Sequence, residues 1–152
     1  MLLRLPQPTG WRGAGVVKVD DYEVKEGLYY SKDYLWVEVE GDKARIGLTD
    51  YAQKQLREIV YVELPEPGTE IEKGEAFGTV ESAKTVSDLI APLTGVVEEV
   101  NSAVVDNPGL INEDPYGEGW VIVITPTKLD EELKDLMDFE AAVEWHKELI
   151  KG

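Results

Sequence analysis

A single lysine in a short polar stretch constrains the fold of this chain more than any other feature. Lys84 lies within residues 78–89, between an apolar run that leads in and another that leads out. Val80 and Val86 are β-branched and therefore favour strands on either side of it. The residues next to the lysine are small and favour a turn: Ser82, Ala83 and Thr85. The segment therefore predicts a β-hairpin whose turn displays the lysine side chain.

Glycines stand at nearly equal distances on both sides of this lysine. Gly74 lies ten residues before Lys84, and Gly95 lies eleven residues after it. Because glycine is favoured in tight turns, each arm of the hairpin is predicted to end in a turn. Two near-symmetric arms around one lysine resemble the lipoyl and biotinyl carrier folds, which are flattened β-barrels.

Several further motifs make the resemblance more specific. They occupy residues 46–53, 62–68, 80–84, 95–101 and 110–120, with Asp88 and Pro92 between them. In this order they resemble the H protein of the glycine cleavage system, and the resemblance runs from about Leu28 into the C-terminal tail. Several motifs in one order are far more specific than a single short pattern.

Size and hydropathy predict one domain. The chain has 152 residues, of which 43% are hydrophobic, which suffices for one modest core but not for two. No apolar run approaches the roughly 18 residues that a membrane-spanning helix needs. The apolar core of the first few residues is too short for a secretory signal. We therefore expect a soluble, cytoplasmic protein.

Cysteine content and charge exclude several classes of function. Without cysteine the chain forms no disulfide, thiolate metal site or cysteine nucleophile, so redox sulfur chemistry must come from an attached group. The formal net charge of -16 argues against nucleic-acid binding and favours partners with basic docking surfaces. Solubility alone is an equally simple explanation of that charge.

Hydrophobic periodicity divides the chain into three parts. Residues 1–27 are expected to form an irregular N-terminal extension, although Val16–Val19 has the pattern of a strand. Residues 28–126 are expected to form the lipoyl-type domain, and residues 127–152 a helical tail packed on it. The predicted fold class is all-β: a lipoyl/biotinyl-type flattened barrel, or barrel-sandwich hybrid, with a short inserted helix and a helical C-terminal tail.

Within the central part, local signals place the main elements. Strands are expected around Trp36, over residues 59–64 and over residues 120–124, with Trp36 and Trp120 in the core. A short helix is expected to begin with Asp50 as its cap and Gln53 reaching back. Residues 101–119 are rich in Asn, Pro and Gly and are expected to form a long ordered loop.

No pattern typical of a catalytic or metal centre is present in the sequence. Nucleophile elbows, metal-binding histidine pairs, phosphate loops and zinc spacings are all missing. His146 falls in the C-terminal helical pattern, which is expected to break near Asp138, and we expect a surface histidine there. The sequence therefore predicts a carrier with neither catalytic nor metal-binding residues.

The family resemblance implies a specific cofactor and a set of partners. Lipoate would be attached covalently to Lys84, with Glu81, Ser82 and Asp88 around the arm. A pyridoxal-phosphate glycine decarboxylase would load an aminomethyl group, an aminomethyltransferase would pass it to tetrahydrofolate, and dihydrolipoyl dehydrogenase would reoxidise the dithiol. A lipoate ligase or lipoyl transferase would attach the arm. The chain itself is expected to be a monomeric, non-catalytic carrier.

The residues beside the lysine bear on the identity of the modification. Biotinyl domains usually flank their lysine with methionine on both sides, whereas Ala83 and Thr85 do so here. This contrast favours lipoate over biotin. A scaffold module that keeps the fold without carrying lipoate is a further alternative.

Two departures from the family pattern leave the cargo open at this point. The family commonly has His-Glu-Trp where this chain has residues 34–36, and its glutamate helps to hold the cargo amine, which Leu35 cannot do. Arg57 follows Leu56 where the family commonly has glycine, whereas Asp88 is retained. A second reading is therefore an H-like lipoate-binding protein that carries sulfur intermediates for a heterodisulfide-reductase-like sulfur-oxidising complex.

Overall fold

The computed structural model describes residues 15–151, in which eleven strands and five helices are present. The strands are β1 (Val16–Val19), β2 (Tyr22–Lys25), β3 (Tyr29–Tyr30), β4 (Leu35–Glu40), β5 (Lys43–Leu48), β6 (Ile59–Glu63), β7 (Glu70–Ile71), β8 (Ala76–Ser82), β9 (Val86–Ile90), β10 (Gly95–Val100) and β11 (Ile122–Pro126). The helices are α1 (Asp50–Leu56), α2 (Ser102–Asp106), α3 (Gly109–Glu113), α4 (Leu129–Leu133) and α5 (Phe139–Lys151).

The strands form three sheets. Six strands pair in the order β3-β4-β5-β11-β10-β7, three in the order β6-β8-β9, and β1 pairs with β2. The two larger sheets share one apolar core, to which Val37 and Ile124 contribute from the first sheet and Val62 and Val80 from the second. This arrangement confirms the predicted all-β, flattened barrel.

Strand β4 is buried on both faces at its start. Leu35 and Val37 belong to the main core, whereas Trp36 points to the opposite face and joins a second apolar cluster. The Trp36 indole lies over Gly47 of β5, where a Cβ atom would come within 2.5 Å of the ring. Its Nε1 donates to the carbonyl oxygen of Pro115 at 2.9 Å. The glycine therefore makes room for the largest buried side chain.

The two glycines around the lysine hairpin have different roles. Gly74 has φ +89 and lies in the turn before β8, as predicted. The turn expected at Gly95 is wrong, because this glycine begins β10 instead. A Cβ atom there would lie 2.5 Å from the carbonyl oxygen of Thr125, so the close approach of β11 requires glycine.

The N-terminal extension is more regular than predicted. Residues 1–14 lie outside the described part of the chain, but the description as irregular is wrong for residues 16–25. The strand expected at Val16–Val19 pairs with β2 in an antiparallel hairpin. The backbone N–H of Glu23 donates to the Asp50 carboxylate at 2.8 Å, which fastens this hairpin to α1.

Helix α1 begins at the predicted place but has a different cap. The side chain of Thr49, rather than Asp50, accepts the backbone N–H of Ala52 at 3.1 Å. Asp50 lies in the first turn, where its carboxylate accepts from Gln53 Nε2 at 2.7 Å. Thr49 therefore occupies the N-cap position, and the Asp50 carboxylate bonds the β1–β2 hairpin.

The loop expected over residues 101–119 contains two short helices, α2 and α3. Asn101 caps α2 by accepting the backbone N–H of Ala103 at 3.1 Å, and its amide donates to the carbonyl oxygens of Glu118 and Trp120. Local side-chain hydrogen bonds therefore organise a segment whose composition is typical of a loop.

The C-terminal tail is helical, with the break that was predicted near Asp138. Asp138 Oδ1 accepts the backbone N–H of Ala141 at 2.9 Å, at the start of α5. Among the helices of residues 15–151, none combines the length and apolar character needed to cross a membrane.

The expectation of a surface histidine in α5 is wrong, because His146 is fully buried. The β1–β2 hairpin and β3 pack against α5 on the side that carries His146. The His146 ring lies edge-on to the rings of Tyr30 and Trp145.

Candidate functional site

The turn between β8 and β9 displays Lys84. The strands pair in antiparallel register up to Glu81 and Val86, and the backbone N–H of Ser82 donates to the carbonyl oxygen of Thr85 at 2.9 Å. Lys84 is exposed, and within residues 15–151 no carboxylate lies within ion-pair distance of its ammonium group. A backbone hydrogen bond therefore closes the turn, while the ammonium group of Lys84 forms no ion pair within the described residues.

A groove of about 190 Å³, which we call the lysine groove, runs beside this turn. One wall comes from the turn itself, and the other from the end of α1 and the residues after it. Its lining residues are Gln55, Leu56, Arg57, Glu58, Ser82, Ala83, Lys84 and Thr85. The small side chains of the turn leave this groove open next to Lys84.

A second open groove, of about 300 Å³, adjoins the first and shares Gln55 and Leu56 with it. We call it the tyrosine groove. It lies between the edge strand β9, helix α1 and the turn between β3 and β4. Its other lining residues are Asp33, Tyr34, Leu35, Leu48, Tyr51, Ala52, Val80, Ser87, Asp88 and Leu89. The groove therefore combines an apolar floor with two carboxylates and two phenols.

The two tyrosines of this groove belong to a stack of aromatic rings. The Tyr34 ring stacks on Tyr51 with 5.7 Å between centroids and on Trp145 of α5 at 5.5 Å. Burial, together with the neighbouring phenols of Tyr34 and Tyr22, raises the pKa of Tyr51. Tyr51 is therefore a neutral phenol at neutral pH, and α5 supports this wall of the groove from behind.

Arg57 lies in the lysine groove with an unusual backbone conformation. Its φ is 69° and its ψ is -148°, a region that residues other than glycine rarely occupy. Three hydrogen bonds hold the segment: Arg57 N–H donates to Gln53 O at 2.8 Å, and Asn112 bonds both Arg57 O at 2.7 Å and Ile59 N–H at 3.0 Å. The glycine that the family commonly has at this position suits the same geometry.

The structure brings some of the predicted site residues together and separates others. Ser82 lies in the lysine groove, and its hydroxyl is 3.4 Å from the Lys84 backbone N–H. Asp88 lies in the tyrosine groove together with Leu35. Glu81 lines neither groove, because it pairs with Tyr61 and Val86 on the outer face of the sheet.

Sequence reasoning missed Asp33, Tyr34 and Tyr51 as members of the same site. They come from the β3–β4 turn and from α1, far from Lys84 along the chain, and no spacing pattern connects them. Positive φ at Tyr34 (73°) is visible only in the structure. In the described part of the chain, no group of three or more His, Asp or Glu side chains forms a candidate metal site.

A flattened barrel that displays one exposed lysine at a hairpin turn defines a carrier domain of the lipoyl and biotinyl class. Within that class, the model of the family described as "Glycine cleavage H-protein" matches residues 28–149. This match covers most of the chain, so the chain belongs to the glycine cleavage H-protein family.

Named relatives agree with this assignment. The "Probable glycine cleavage system H protein" of Pyrococcus abyssi is 52% identical over 135 residues, which cover 88% of this chain and 100% of the relative. The "Glycine cleavage system H protein" of Geobacillus thermodenitrificans is 59% identical over 104 residues, 68% of this chain and 82% of the relative. The crystal structure of a glycine cleavage system H protein from Mycobacterium marinum has a TM-score of 0.72 and 40% identity, and covers 79% of this chain and 96% of that one.

The chain therefore has a lipoyl carrier role in the glycine cleavage system and works with other components of that system. The family is lipoate-bearing in general, which agrees with a displayed lysine.

Proposed function

We propose that lipoate is attached to Lys84 through an amide bond and that the chain catalyses no step of the cycle itself. The observation that carries this proposal is the exposed Lys84 in a turn that backbone hydrogen bonds hold between two paired strands. An amine that makes no ion pair costs little to acylate, because no existing interaction has to be broken first. The small residues Ser82, Ala83 and Thr85 leave room for an acyl chain at the lysine groove.

Lipoate held on Lys84 would supply a disulfide, which can accept a two-electron-reduced aminomethyl group and which oxidation of the dithiol would regenerate. The partners are a pyridoxal-phosphate glycine decarboxylase, a tetrahydrofolate-dependent aminomethyltransferase and dihydrolipoyl dehydrogenase, with a lipoate ligase or lipoyl transferase for attachment. Tethering on Lys84 keeps the carried group at high effective concentration for each of them. The protein works as a monomer, with residues 28–126 as the lipoyl-type domain.

The tyrosine groove is the place where the chain holds a cationic amine carried by the arm. Asp88 and Asp33 both line it, and carboxylates favour an ammonium group by charge-assisted hydrogen bonds. Tyr34 and Tyr51 line the same groove, and their phenol oxygens can accept hydrogen bonds from the amine. Asp33 offers a second carboxylate in a chain that has Leu35 where the family commonly has glutamate, so the missing residue does not require a different cargo.

Ser82 and Glu81 act near the attachment point rather than on the cargo. The Ser82 hydroxyl lies beside the Lys84 backbone and supports the turn. Glu81 lies on the outer face of the sheet, where an enzyme that approaches the lysine can contact it.

The test is intact mass followed by peptide mapping after incubation with lipoate, ATP and a purified lipoate–protein ligase. We expect one lipoyl increment, located on Lys84. Lys84→Arg should fold normally and gain no mass. Lys73 offers a matched control, because it lies in a turn but pairs with Asp135 at 2.7 Å, and Lys73→Arg should accept lipoate at the wild-type rate. Lipoate on another lysine, or none on the wild type, would overturn the proposal.

A further inference from the structure

Exposed apolar side chains cover the outer face of the three-stranded sheet next to the lysine turn. Tyr61 of β6 is 52% exposed and Val86 of β9 is 59% exposed. Both pair with Glu81 of β8, one from each side. We call Tyr61, Glu81 and Val86 the outer row. Because neighbouring strands lie roughly 4.8 Å apart, the row is about 10 Å wide.

A bulge in β6 enlarges this apolar surface. The register of β6 with β8 shifts between Ile59 and Tyr61, so Val60 is the extra residue. Val60 is 51% exposed, next to Tyr61 in the sequence. Exposed apolar residues scattered singly are normal, but a group of three beside one reactive side chain is typical of an interaction surface.

Acidic residues border the outer row. The next row on the same face includes Glu63 and Thr79, of which Glu63 is exposed. Glu58, also exposed, precedes β6. Apolar side chains on both sides of Glu81, with further carboxylates nearby, fit a partner that offers apolar contacts together with basic residues. A second copy of this chain would bring like charges together and fits poorly.

The outer row lies beside Lys84, so the partner that docks on it is the one that reacts with Lys84 itself. This step rests on the function proposed above. Amide formation joins Lys84 Nζ to the acyl carbon of an activated lipoyl donor, such as an acyl adenylate. The bond from that carbon to the leaving group breaks, and the amine loses one proton to water or a base. Unlike the enzymes that act on the far end of the arm, the acylating enzyme must reach Nζ itself.

Val86 is two residues from Lys84, directly after the closed turn. An enzyme that encloses Nζ therefore comes close to the outer row. We propose that the outer row is the surface on which the enzyme that transfers the lipoyl group to Lys84 docks. Tyr61, at one end of the row, is the main anchor, since a large aromatic side chain with a polar tip gives much contact area at low cost in conformational entropy.

The test measures kcat/KM for lipoylation by a purified lipoate–protein ligase with lipoate and ATP. Tyr61→Thr, Val86→Thr and the double variant place the β-branched residue threonine on the strands, which favours retention of the sheet. We expect the double variant to lose about tenfold in kcat/KM, mainly through a higher KM. Val16→Thr is the matched control, because Val16 is an exposed valine of β1 (46%) away from the turn, and it should react like the wild type.

Further outcomes separate the possible errors. A wild type that accepts no lipoate overturns the function proposed above, and this inference with it. A wild type that accepts lipoate while the double variant reacts equally fast overturns only the docking surface. After lipoylation is driven to completion with excess ligase, glycine-dependent loading should be equal for both proteins. If lipoylation is unchanged but loading is impaired, the row belongs to the decarboxylase interface. If the wild type is a dimer and the variant is a monomer, the row is an interface between two copies of this chain. Either result overturns the proposal.

If a threonine variant is not folded, as judged by circular dichroism, Glu63→Gln and Glu58→Gln are alternatives that leave the strands unchanged. Together they remove two exposed charges from the border of the row. They should lower kcat/KM at low salt and converge with the wild type at high salt. Equal rates at low salt would contradict the proposed basic partner surface.

Discussion

The side-chain amide of Asn112 donates a hydrogen bond of 2.7 Å to the carbonyl oxygen of Arg57, and the backbone of Arg57 is held there at φ 69° and ψ -148°. This links helix α3 to the wall of the lysine groove. A residue other than glycine in this backbone conformation adds strain of about 1 to 3 kcal/mol to the folded state. The surrounding hydrogen bonds must offset that strain to hold the conformation.

Arg57→Gly should therefore stabilise the protein. Relief of backbone strain exceeds the roughly 0.5 to 1 kcal/mol that glycine costs through the unfolded state, and we expect a net gain of about 1 kcal/mol. The measurement is the urea midpoint at unchanged m-value. Arg57→Ala is the control, since it removes the same side chain but keeps the strain. Equal midpoints for the alanine and glycine variants would show that the backbone is not strained.

Replacing the carboxylates of the tyrosine groove should expose the carried amine to water. For the lipoylated protein loaded with glycine and decarboxylase, we expect ammonia to be released about fivefold faster from the Asp33→Asn, Asp88→Asn double variant than from the wild type. A charge-assisted hydrogen bond contributes roughly 1.5 to 3 kcal/mol, and exposure of these groups reduces that amount.

The control for this experiment is Asp42→Asn, because Asp42 is exposed in the β4–β5 turn and lines neither groove. It should release ammonia at the wild-type rate. If all three proteins lose ammonia equally fast, the tyrosine groove does not hold the amine.

Much of the barrel could be predicted because its signals are local. Alternating apolar residues in β4 and β5, and the glycine turn at Gly74, specify strands and turns within a few residues. The displayed position of Lys84 follows from the same kind of signal. Hydrogen bonds between distant segments, such as that from Trp36 to Pro115, stabilise these elements further. The strands and turns can be predicted without knowing them.

The tyrosine groove and the burial of His146 could not be predicted, because both depend on which segments meet. Asp33 and Tyr51 line the same groove as Asp88 only because β9 lies beside both the β3–β4 turn and α1. The helical periodicity of α5 shows that one face is apolar, but not that the β1–β2 hairpin covers His146. Asp50 is a similar case: its spacing to Gln53 indicated a cap, yet a bond to Glu23 of the N-terminal hairpin uses the carboxylate.

The two tryptophans that sequence placed in the core should differ in their effect on stability. Trp36 is 1% exposed and its Nε1 is hydrogen-bonded, so Trp36→Ala should lower the free energy of unfolding by about 3 to 5 kcal/mol. Trp120 is only half-buried, with the Arg45 guanidinium 5.5 Å from its ring centroid. Trp120→Ala should cost about 1 to 2 kcal/mol. Denaturant unfolding measures both, and equal losses would contradict the burial pattern.

His146, the only histidine of the chain, should make stability depend on pH in the weakly acidic range. It is fully buried, its Nδ1 lies 2.7 Å from the carbonyl oxygen of Ala142, and its Nε2 has no partner within the described residues. Burial lowers the pKa of His146 below its usual 6.5, although the Ala142 carbonyl and the charge of Asp50 oppose this.

The sign of the effect follows from the direction of that shift. Well above pH 6.5 the imidazole is neutral in both the folded and the unfolded state and contributes no pH dependence. As the pH falls below 6.5, the unfolded chain takes up a proton that the folded chain excludes, so stability decreases until the pH reaches the lowered pKa of the folded state. The slope can reach at most about 1.4 kcal/mol per pH unit for one proton.

His146→Leu should remove this dependence while keeping the packing, since leucine is of similar size and has no polar atom to leave unpaired. At pH 8 the variant should be as stable as the wild type or more stable. Between pH 6.5 and 5 the wild type should lose stability relative to the variant, and because carboxylates titrate in both proteins, their contributions cancel in the difference. The measurement is the free energy of unfolding in urea at several pH values. Parallel curves for the two proteins would show that His146 binds protons equally in both states, and hence that burial does not exclude its charged form.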